Sequence, residues 1–161
     1  MTNSLTELTN DELQQPLGPA FRMYFETTAR LLDRLEKRLK QQVGLTLSEY
    51  NMLLLLSEAP DGKMRMGQLA DAIVFSPSRL TYQVKVLTDR GLVNRVKCQD
   101  DGRAWEAELT SEGRTMFRRA SIIHAKGVKQ LFTDVVSEEQ LAELHQIFSQ
   151  VSANLDEVSE D

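Results

Sequence analysis

The 161-residue chain is long enough for one domain with a buried core, and its 41% hydrophobic content is ordinary for a globular protein. Its longest apolar run, residues 52–56, is far shorter than the roughly 20 residues that span a bilayer, and the N-terminus lacks the basic and apolar character of a signal peptide. We therefore expect a cytoplasmic protein without membrane contact. The single cysteine, Cys98, excludes an intrachain disulfide.

The first predicted helix has a narrow apolar stripe. Pro19 suits its first turn, and Gly44 suits its end. Spacings of four and three residues alternate along the stripe, which consists of Phe21, Phe25, Thr28, Leu32, Leu35 and Leu39. An apolar repeat of 3.5 residues is typical of helices that pack against another helix along their length.

A second helix and a helix-turn-helix follow in the chain. The sequence TLSE at 46–49 is a capping box, and the helix that it opens must stop before Pro60. Residues 68–74 form another helical run, and residues 75–76 make a turn. Ser76 can cap the next helix, which has Pro77 in its first turn and Gly91 at its end.

The helix after this turn has a polar outer face that suits DNA. Leu80, Val84 and Leu87 recur at i, i+4 and i+7, so they should face the core. Hydroxyl, phenol and basic groups on the opposite face can bind base edges or phosphates. The alternative is an ordinary solvated helix face. The predicted DNA contacts are Ser76, Pro77, Ser78, Arg79, Thr81, Tyr82 and Lys85.

A charged hairpin follows the helix-turn-helix. Two alternating runs, 92–98 and 104–109, should pair as strands, because Asp101-Gly102 between them favours a tight turn. From residue 62 to 103 there are eight basic and four acidic side chains, so this segment carries +4 and the remainder −9. Local positive charge is what releases counterions from DNA phosphates, whatever the total charge. The segment therefore predicts a winged helix-turn-helix that binds DNA.

A long helix from about 112 to 132 and a last helix complete the chain. Ser137 and Gln140 form a capping box for the last helix. Its apolar stripe again repeats every 3.5 residues and consists of Leu141, Leu144, Phe148, Val151, Leu155 and Val158. Each stripe could pack only within its own chain. We expect instead a dimerisation arm formed by the two end helices, with an interface of Phe25, Leu32, Leu35, Leu144, Phe148, Val151 and Leu155.

Three motifs in this order resemble the MarR family of dimeric bacterial winged-helix regulators. They are LTLSEYNMLLLLSEAP at 45–60, MGQLADAIVFSPSRLTYQVKVLTDRGLVNR at 66–95 and DDGRAWEAELTSEGR at 100–114. The resemblance runs from about Leu17 to Val158. It implies a mainly α fold with a small β-wing, as one domain over 1–161. The helical arm would comprise about 17–44 and 112–158, and the winged helix-turn-helix lobe about 46–110.

The resemblance also implies particular contacts. Asp101-Gly102-Arg103 lies where the family has its wing Asp-x-Arg, so Arg103 would enter the minor groove and Asp101 would orient it. Residues 76–85 would occupy the major groove. The implied function is a homodimeric repressor that binds a pseudo-palindromic operator in double-stranded DNA and is released by a small phenolic or aromatic anion. The walls of the effector pocket would be Arg22, Tyr24, Thr28, Asn51, Leu55 and Met116.

Catalytic and metal-binding patterns are not found. His124 and His145 lie on separate predicted helices without a partner at i+4, and there is no cluster of cysteine and histidine with metal-ligand spacing. We expect no enzyme activity, no cofactor and no metal. Two alternatives to the effector-released repressor stay open: a winged-helix protein-interaction module without DNA readout, and a redox-sensing regulator that switches through Cys98.

Overall fold

The structure of the chain, a computed structural model, describes residues 17–98 and 103–158. Asp101 and Gly102 of the predicted wing turn therefore lie outside the described residues. The helices are α1 (Leu17–Val43), α2 (Leu47–Glu58), α3 (Met66–Ile73), α4 (Pro77–Asp89), α5 (Ser111–Leu131) and α6 (Glu138–Glu157). The strands are β1 (Lys63–Arg65), β2 (Val93–Lys97) and β3 (Trp105–Leu109). None of the helices in the described ranges is long and apolar enough to cross a membrane.

Local side-chain bonds fix where the helices begin. The capping boxes predicted at Thr46 and Ser137 are both formed. Ser76 caps α4 by accepting a hydrogen bond from the backbone N–H of Arg79, and Pro77 occupies the first turn. These caps satisfy backbone N–H groups that have no partner within the helix, which is why the starts of these helices were predictable from sequence.

The sheet contains a strand that sequence analysis missed. Its strand order is β1-β3-β2, and both pairs are antiparallel, with Lys63 opposite Glu108 and Val93 opposite Leu109. The two predicted wing strands are confirmed, but β1 has only three residues, too few to show an alternating pattern. β1 covers one edge of β3 and leads directly into α3, so it ties the wing to the helix-turn-helix.

The core lies beneath α4. Its predicted inward residues, Leu80, Val84 and Leu87, are each at most 1% exposed. They pack in one apolar cluster with side chains from α1, α2, α3, β2 and β3. Complete burial of one such side chain stabilises a fold by roughly 1.5–3 kcal/mol. This packing determines which face of α4 remains outside.

The apolar stripe of α1 divides between two environments. Phe21, Phe25 and Leu32 are exposed, whereas Leu35 is 4% exposed because it packs against Gly127 of α5 in the same chain. A methyl group added to Gly127 would lie 2.8 Å from the Leu35 side chain, which shows how closely α1 and α5 approach. The prediction that Leu35 belongs to the dimer interface is therefore wrong, since its side chain is used within its own chain.

The turn between α3 and α4 contains a strained residue. Val74 adopts the left-handed conformation, with φ 57° and ψ 48°, and its side chain is 90% exposed. A branched Cβ is unfavourable in this region, and no burial of the side chain offsets the strain. Helices more commonly end with glycine in this conformation.

We predict that Val74→Gly raises the free energy of unfolding by roughly 0.5–1 kcal/mol. Relief of the left-handed strain, about 1–2 kcal/mol, should exceed the greater entropy that glycine gives the unfolded chain. Urea denaturation measures the change. Val74→Thr is the matched control, since threonine keeps the branched Cβ and should give no gain. A lower stability for Val74→Gly would contradict the prediction.

Candidate nucleic-acid interface

The outer face of α4 presents the predicted DNA-contacting side chains to solvent. The side chains of Tyr82, Arg79 and Ser78 are exposed on the face opposite the buried stripe. The remaining four predicted residues are exposed as well, namely Ser76, Pro77, Thr81 and Lys85. Exposure is the property that DNA contact requires of them, and contact itself stays a prediction.

Some of these side chains have partners within the chain. The Thr81 hydroxyl donates a 2.8 Å hydrogen bond to the carbonyl of Pro77. The Lys85 ammonium lies 2.6 Å from a carboxylate oxygen of Asp89, and this hydrogen bond raises the pKa of Lys85. Exposed pairs of this kind are weak, so a DNA phosphate can displace Asp89. Lys85 is thus charged and can bind a phosphate.

Arg79 is held in place by an aromatic ring. The centre of its guanidinium lies 4.0 Å from the ring centroid of Phe75, in the turn before α4. Stacking uses the face of the guanidinium and leaves its N–H edge available for hydrogen bonds. The arginine is therefore oriented before any DNA contact is made. The spacing of four residues between Phe75 and Arg79 was the sequence signal for this contact.

The wing carries a second group of basic side chains around an aromatic ring. The guanidinium carbon of Arg95 lies 4.4 Å from the ring centroid of Trp105, and the Lys97 ammonium lies 5.9 Å from it. Lys97 is also the cross-strand partner of Trp105. Arg103, two residues before Trp105, is exposed. Sequence analysis counted these charges but did not recognise Trp105 as their shared contact.

Comparison with known proteins identifies the family. A profile of the MarR family matches residues 43–104. AbsC, a MarR family transcriptional regulator from Streptomyces coelicolor, is 34% identical, with a TM-score of 0.83 over 94% of this chain and 98% of that one. The chain belongs to the MarR family. The predicted family and the mainly α fold with a β-wing are confirmed, and members of this family are transcriptional regulators rather than enzymes.

Two further relatives of this MarR-family chain bear on its function. Sco3205, a MarR family regulator from Streptomyces coelicolor solved in complex with DNA, is 32% identical with a TM-score of 0.83, covering 92% of this chain and 93% of that one. The HTH-type transcriptional repressor Mb2911 from Mycobacterium bovis is 32% identical over 81 residues, which is 50% of this chain and 57% of the relative.

Cys98 lies on the opposite face of the sheet from the Trp105 ring. It is 6% exposed, receives a contact from the Arg65 guanidinium at 3.7 Å and lies 3.5 Å from a carboxylate oxygen of Glu106. Reactive cysteines are partly exposed, as attack on an oxidant requires. The burial of Cys98 does not favour the redox-sensing alternative for this MarR-family regulator.

Two carboxylates meet at the start of α2 and connect it to α1 and to the end of α4. Glu49 is 5% exposed and accepts hydrogen bonds from the Thr46 backbone N–H at 2.7 Å and from the Arg90 guanidinium at 3.2 Å. Glu36 of α1 accepts a further bond from the Leu47 backbone N–H at 3.1 Å. Carboxylates near a helix N-terminus are favourable because they face its unpaired N–H groups. The start of α2 thus links α1 to the residue that ends α4.

The predicted effector-binding residues contact different parts of the protomer. Arg22 is largely exposed and forms an ion pair with Glu26 one turn along α1. The Tyr24 ring packs against Phe148 of α6, with centroids 5.3 Å apart. Met116 of α5 lines a shallow cavity together with Leu92 and Arg119, among others. These surroundings do not favour a single pocket within one protomer built from Arg22, Tyr24, Thr28, Asn51, Leu55 and Met116.

The two histidines lie on different helices and in different environments. The His124 ring stacks on Tyr50 with centroids 4.5 Å apart, and burial lowers the pKa of its imidazole. His145 is exposed on α6. Within 17–98 and 103–158, no group of three or more histidine, cysteine, aspartate or glutamate side chains is arranged to hold a metal ion.

We predict that His124 makes the fold less stable in acid. Because its folded-state pKa lies below the ordinary value of 6.5, the unfolded chain binds more protons, and stability falls as the pH drops through that value. His124→Phe keeps a ring against Tyr50 and should lose less stability than the parent between about pH 7.5 and 5.5. Urea midpoints at the two pH values measure this difference.

His145→Phe is the matched control for that measurement. This variant also replaces a histidine with phenylalanine, but at an exposed position. Its loss of stability between the two pH values should equal that of the parent. Equal losses in the parent and in His124→Phe would show that burial of His124 does not oppose protonation.

Proposed function

We propose that this MarR-family chain is a homodimeric repressor that binds double-stranded DNA in a sequence-specific manner through α4 and the wing. The observation that carries the proposal is the outer face of α4. A fully buried apolar stripe fixes the helix, and the opposite face presents exposed hydroxyl, phenol and basic groups from 76 to 85. A relative in complex with DNA and a relative named as a repressor support the same function.

The two elements offer different kinds of contact. Tyr82 and Arg79 lie in the N-terminal half of α4, where a recognition helix meets base edges in the major groove. Lys85 lies one turn farther along, where phosphate contact is expected. Arg103 on the wing suits a narrow minor groove, where the negative potential is strongest, with Asp101 proposed to orient it. A dimer then requires a pseudo-palindrome with half-sites about one helical turn apart, roughly 10 base pairs.

Base and phosphate contacts can be separated by alanine substitution. Tyr82→Ala and Arg79→Ala should weaken binding to the operator and relax the preference at particular base pairs by about 1–3 kcal/mol each. Lys85→Ala should weaken binding similarly on all sequences and lower the salt dependence. Arg103→Ala should cost less when flanking A·T-rich steps are replaced by G·C. Fluorescence anisotropy on a duplex selected from random sequence measures these affinities over a range of salt concentrations.

Lys129→Ala is the control for Lys85→Ala. Lys129 is also an exposed lysine in an ion pair, with Asp134, but it lies near the end of α5, far along the chain from the helix-turn-helix. Its loss should leave DNA affinity unchanged. If the parent binds no duplex, then the chain is better described as a protein-interaction module. If Tyr82→Ala and Arg103→Ala bind the operator as tightly as the parent, then the contact residues are misassigned and the DNA mechanism proposed here is wrong.

The end helices support the proposed homodimer. The side chains of Phe25, Leu32 and Phe148 remain exposed in one protomer, and Val151 and Leu155 continue the exposed stripe along α6. The Tyr24 ring of α1 contacts Phe148 of the α6 stripe, so the two end helices approach each other at this point. Half-buried Leu144 lies on the same stripe. Exposed apolar stripes on both end helices are the kind of surface that an obligate dimer interface would cover.

We predict that Phe148→Asp converts the dimer to a monomer. The carboxylate would be desolvated at the centre of an apolar interface, which is strongly unfavourable without a partner charge. Val74→Asp adds the same charge at an exposed apolar position in the helix-turn-helix and should remain dimeric. Sedimentation velocity at micromolar concentration distinguishes the two species. A parent protein that sediments as a stable monomer would refute the proposed arm.

We also propose that a small aromatic anion binds where arm and lobe meet in the assembled dimer and releases the DNA. The junction of Glu36, Glu49 and Arg90 supports this regulation, because it connects α1 to the end of α4. A ligand that shifts the arm relative to the lobe would therefore also move the recognition helix. Such a ligand must bind the two arrangements with different affinity.

A further inference from the structure

The single tryptophan of the chain lies on the wing, in contact with two cations. Trp105 is 37% exposed, so its ring is neither a core residue nor fully solvated. Arg95 and Lys97 are exposed and alternate with Val96, so both project from the same face of β2. The wing therefore presents two positive charges beside one indole ring.

This arrangement holds two like charges together. Residues i and i+2 of a strand lie roughly 7 Å apart, so Arg95 and Lys97 repel each other in the absence of an anion. The negative face of an indole ring attracts both cations and reduces the cost of keeping them close. The stacked guanidinium still presents its N–H edge, which matches the oxygens of a phosphate group.

The position of the two cations on the wing indicates which part of DNA they would meet. Arg103 lies beside the hairpin connection, whereas Lys97 is the last residue of β2 and Arg95 lies two residues farther back along the strand. If the tip of the wing enters a groove, side chains farther back lie at the groove wall, which is formed by the sugar-phosphate backbone. Backbone contacts orient a protein on the duplex without reading its sequence.

We propose that Trp105 is a positioning residue that holds Arg95 and Lys97 as a phosphate clamp, separate from the groove contact of Arg103. The clamp rests on the proposed DNA binding. Its ligand is the phosphate backbone of double-stranded DNA, so its contribution is independent of sequence. Trp105 acts through the two cations rather than by touching a base.

The salt dependence of binding tests the clamp. The parent, Arg95→Ala, Trp105→Ala and the double variant are titrated with a mixed-sequence duplex at several salt concentrations. Arg95→Ala should reduce the slope of log K against log salt by about 0.9, the value for one phosphate contact. Trp105→Ala should reduce both this slope and the affinity for the duplex. The double variant should lose less affinity than the sum of the losses in the two single variants, because both residues act on one phosphate contact.

Two controls separate positioning from mere support of the hairpin. Trp105→Phe keeps an aromatic face and should restore most of the slope lost in Trp105→Ala. Arg34→Ala removes an exposed arginine of α1 and should leave the slope unchanged. Thermal unfolding of each variant shows that the fold is retained. In the parent, the emission of Trp105 should change when the duplex saturates the protein.

The outcomes distinguish the clamp from the wider proposal. If the parent binds no duplex, then both the proposed function and the clamp are wrong. If the parent binds with a steep salt dependence and Arg95→Ala has the same slope, then DNA binding stands and the clamp is overturned. The clamp is also overturned if Trp105→Ala loses affinity and Trp105→Phe loses as much, because a stacking role requires that an aromatic ring restore binding.

Discussion

The burial of Leu80, Val84 and Leu87 is the constraint on which the proposed interface depends. Each of these side chains contributes roughly 1.5–3 kcal/mol, and the net stability of a domain is only about 5–15 kcal/mol. Rotation of α4 about its axis would expose this stripe and is therefore strongly opposed. With the stripe inside, the side chains of Ser78, Tyr82 and Lys85 must face outward. The surface that we propose to face DNA is thus a consequence of core packing.

A polar junction supplements this apolar packing. Glu49 bonds both the start of α2 and the guanidinium of Arg90, the residue that ends α4. A carboxylate that is 5% exposed needs such partners, since a buried charge without them is costly. Glu36 holds the same helix start from α1. The position of α4 therefore depends on the arm as well as on the core, which is what the proposed regulation from the arm requires.

Local signals made most of the fold predictable. The caps at Thr46, Ser76 and Ser137 and the inward stripe of α4 depend on residues within one or two turns, and all were predicted correctly. Leu35 was assigned wrongly because periodicity shows that a face is apolar but not which helix covers it. The stacking of Arg95 on Trp105 depends on strand register, and β1 is too short to show a pattern. Sequence alone could not show these tertiary relationships.

Methylation of guanine N7 by dimethyl sulfate is the most direct test of the central claim, that each protomer of a dimer places α4 in the major groove. N7 faces that groove, so a side chain inserted there protects it. On an operator selected from random duplexes, the bound protein should protect guanines in two clusters about one helical turn apart, roughly 10 base pairs. If the bound duplex shows the same pattern of guanine methylation as the free duplex, recognition through α4 is contradicted.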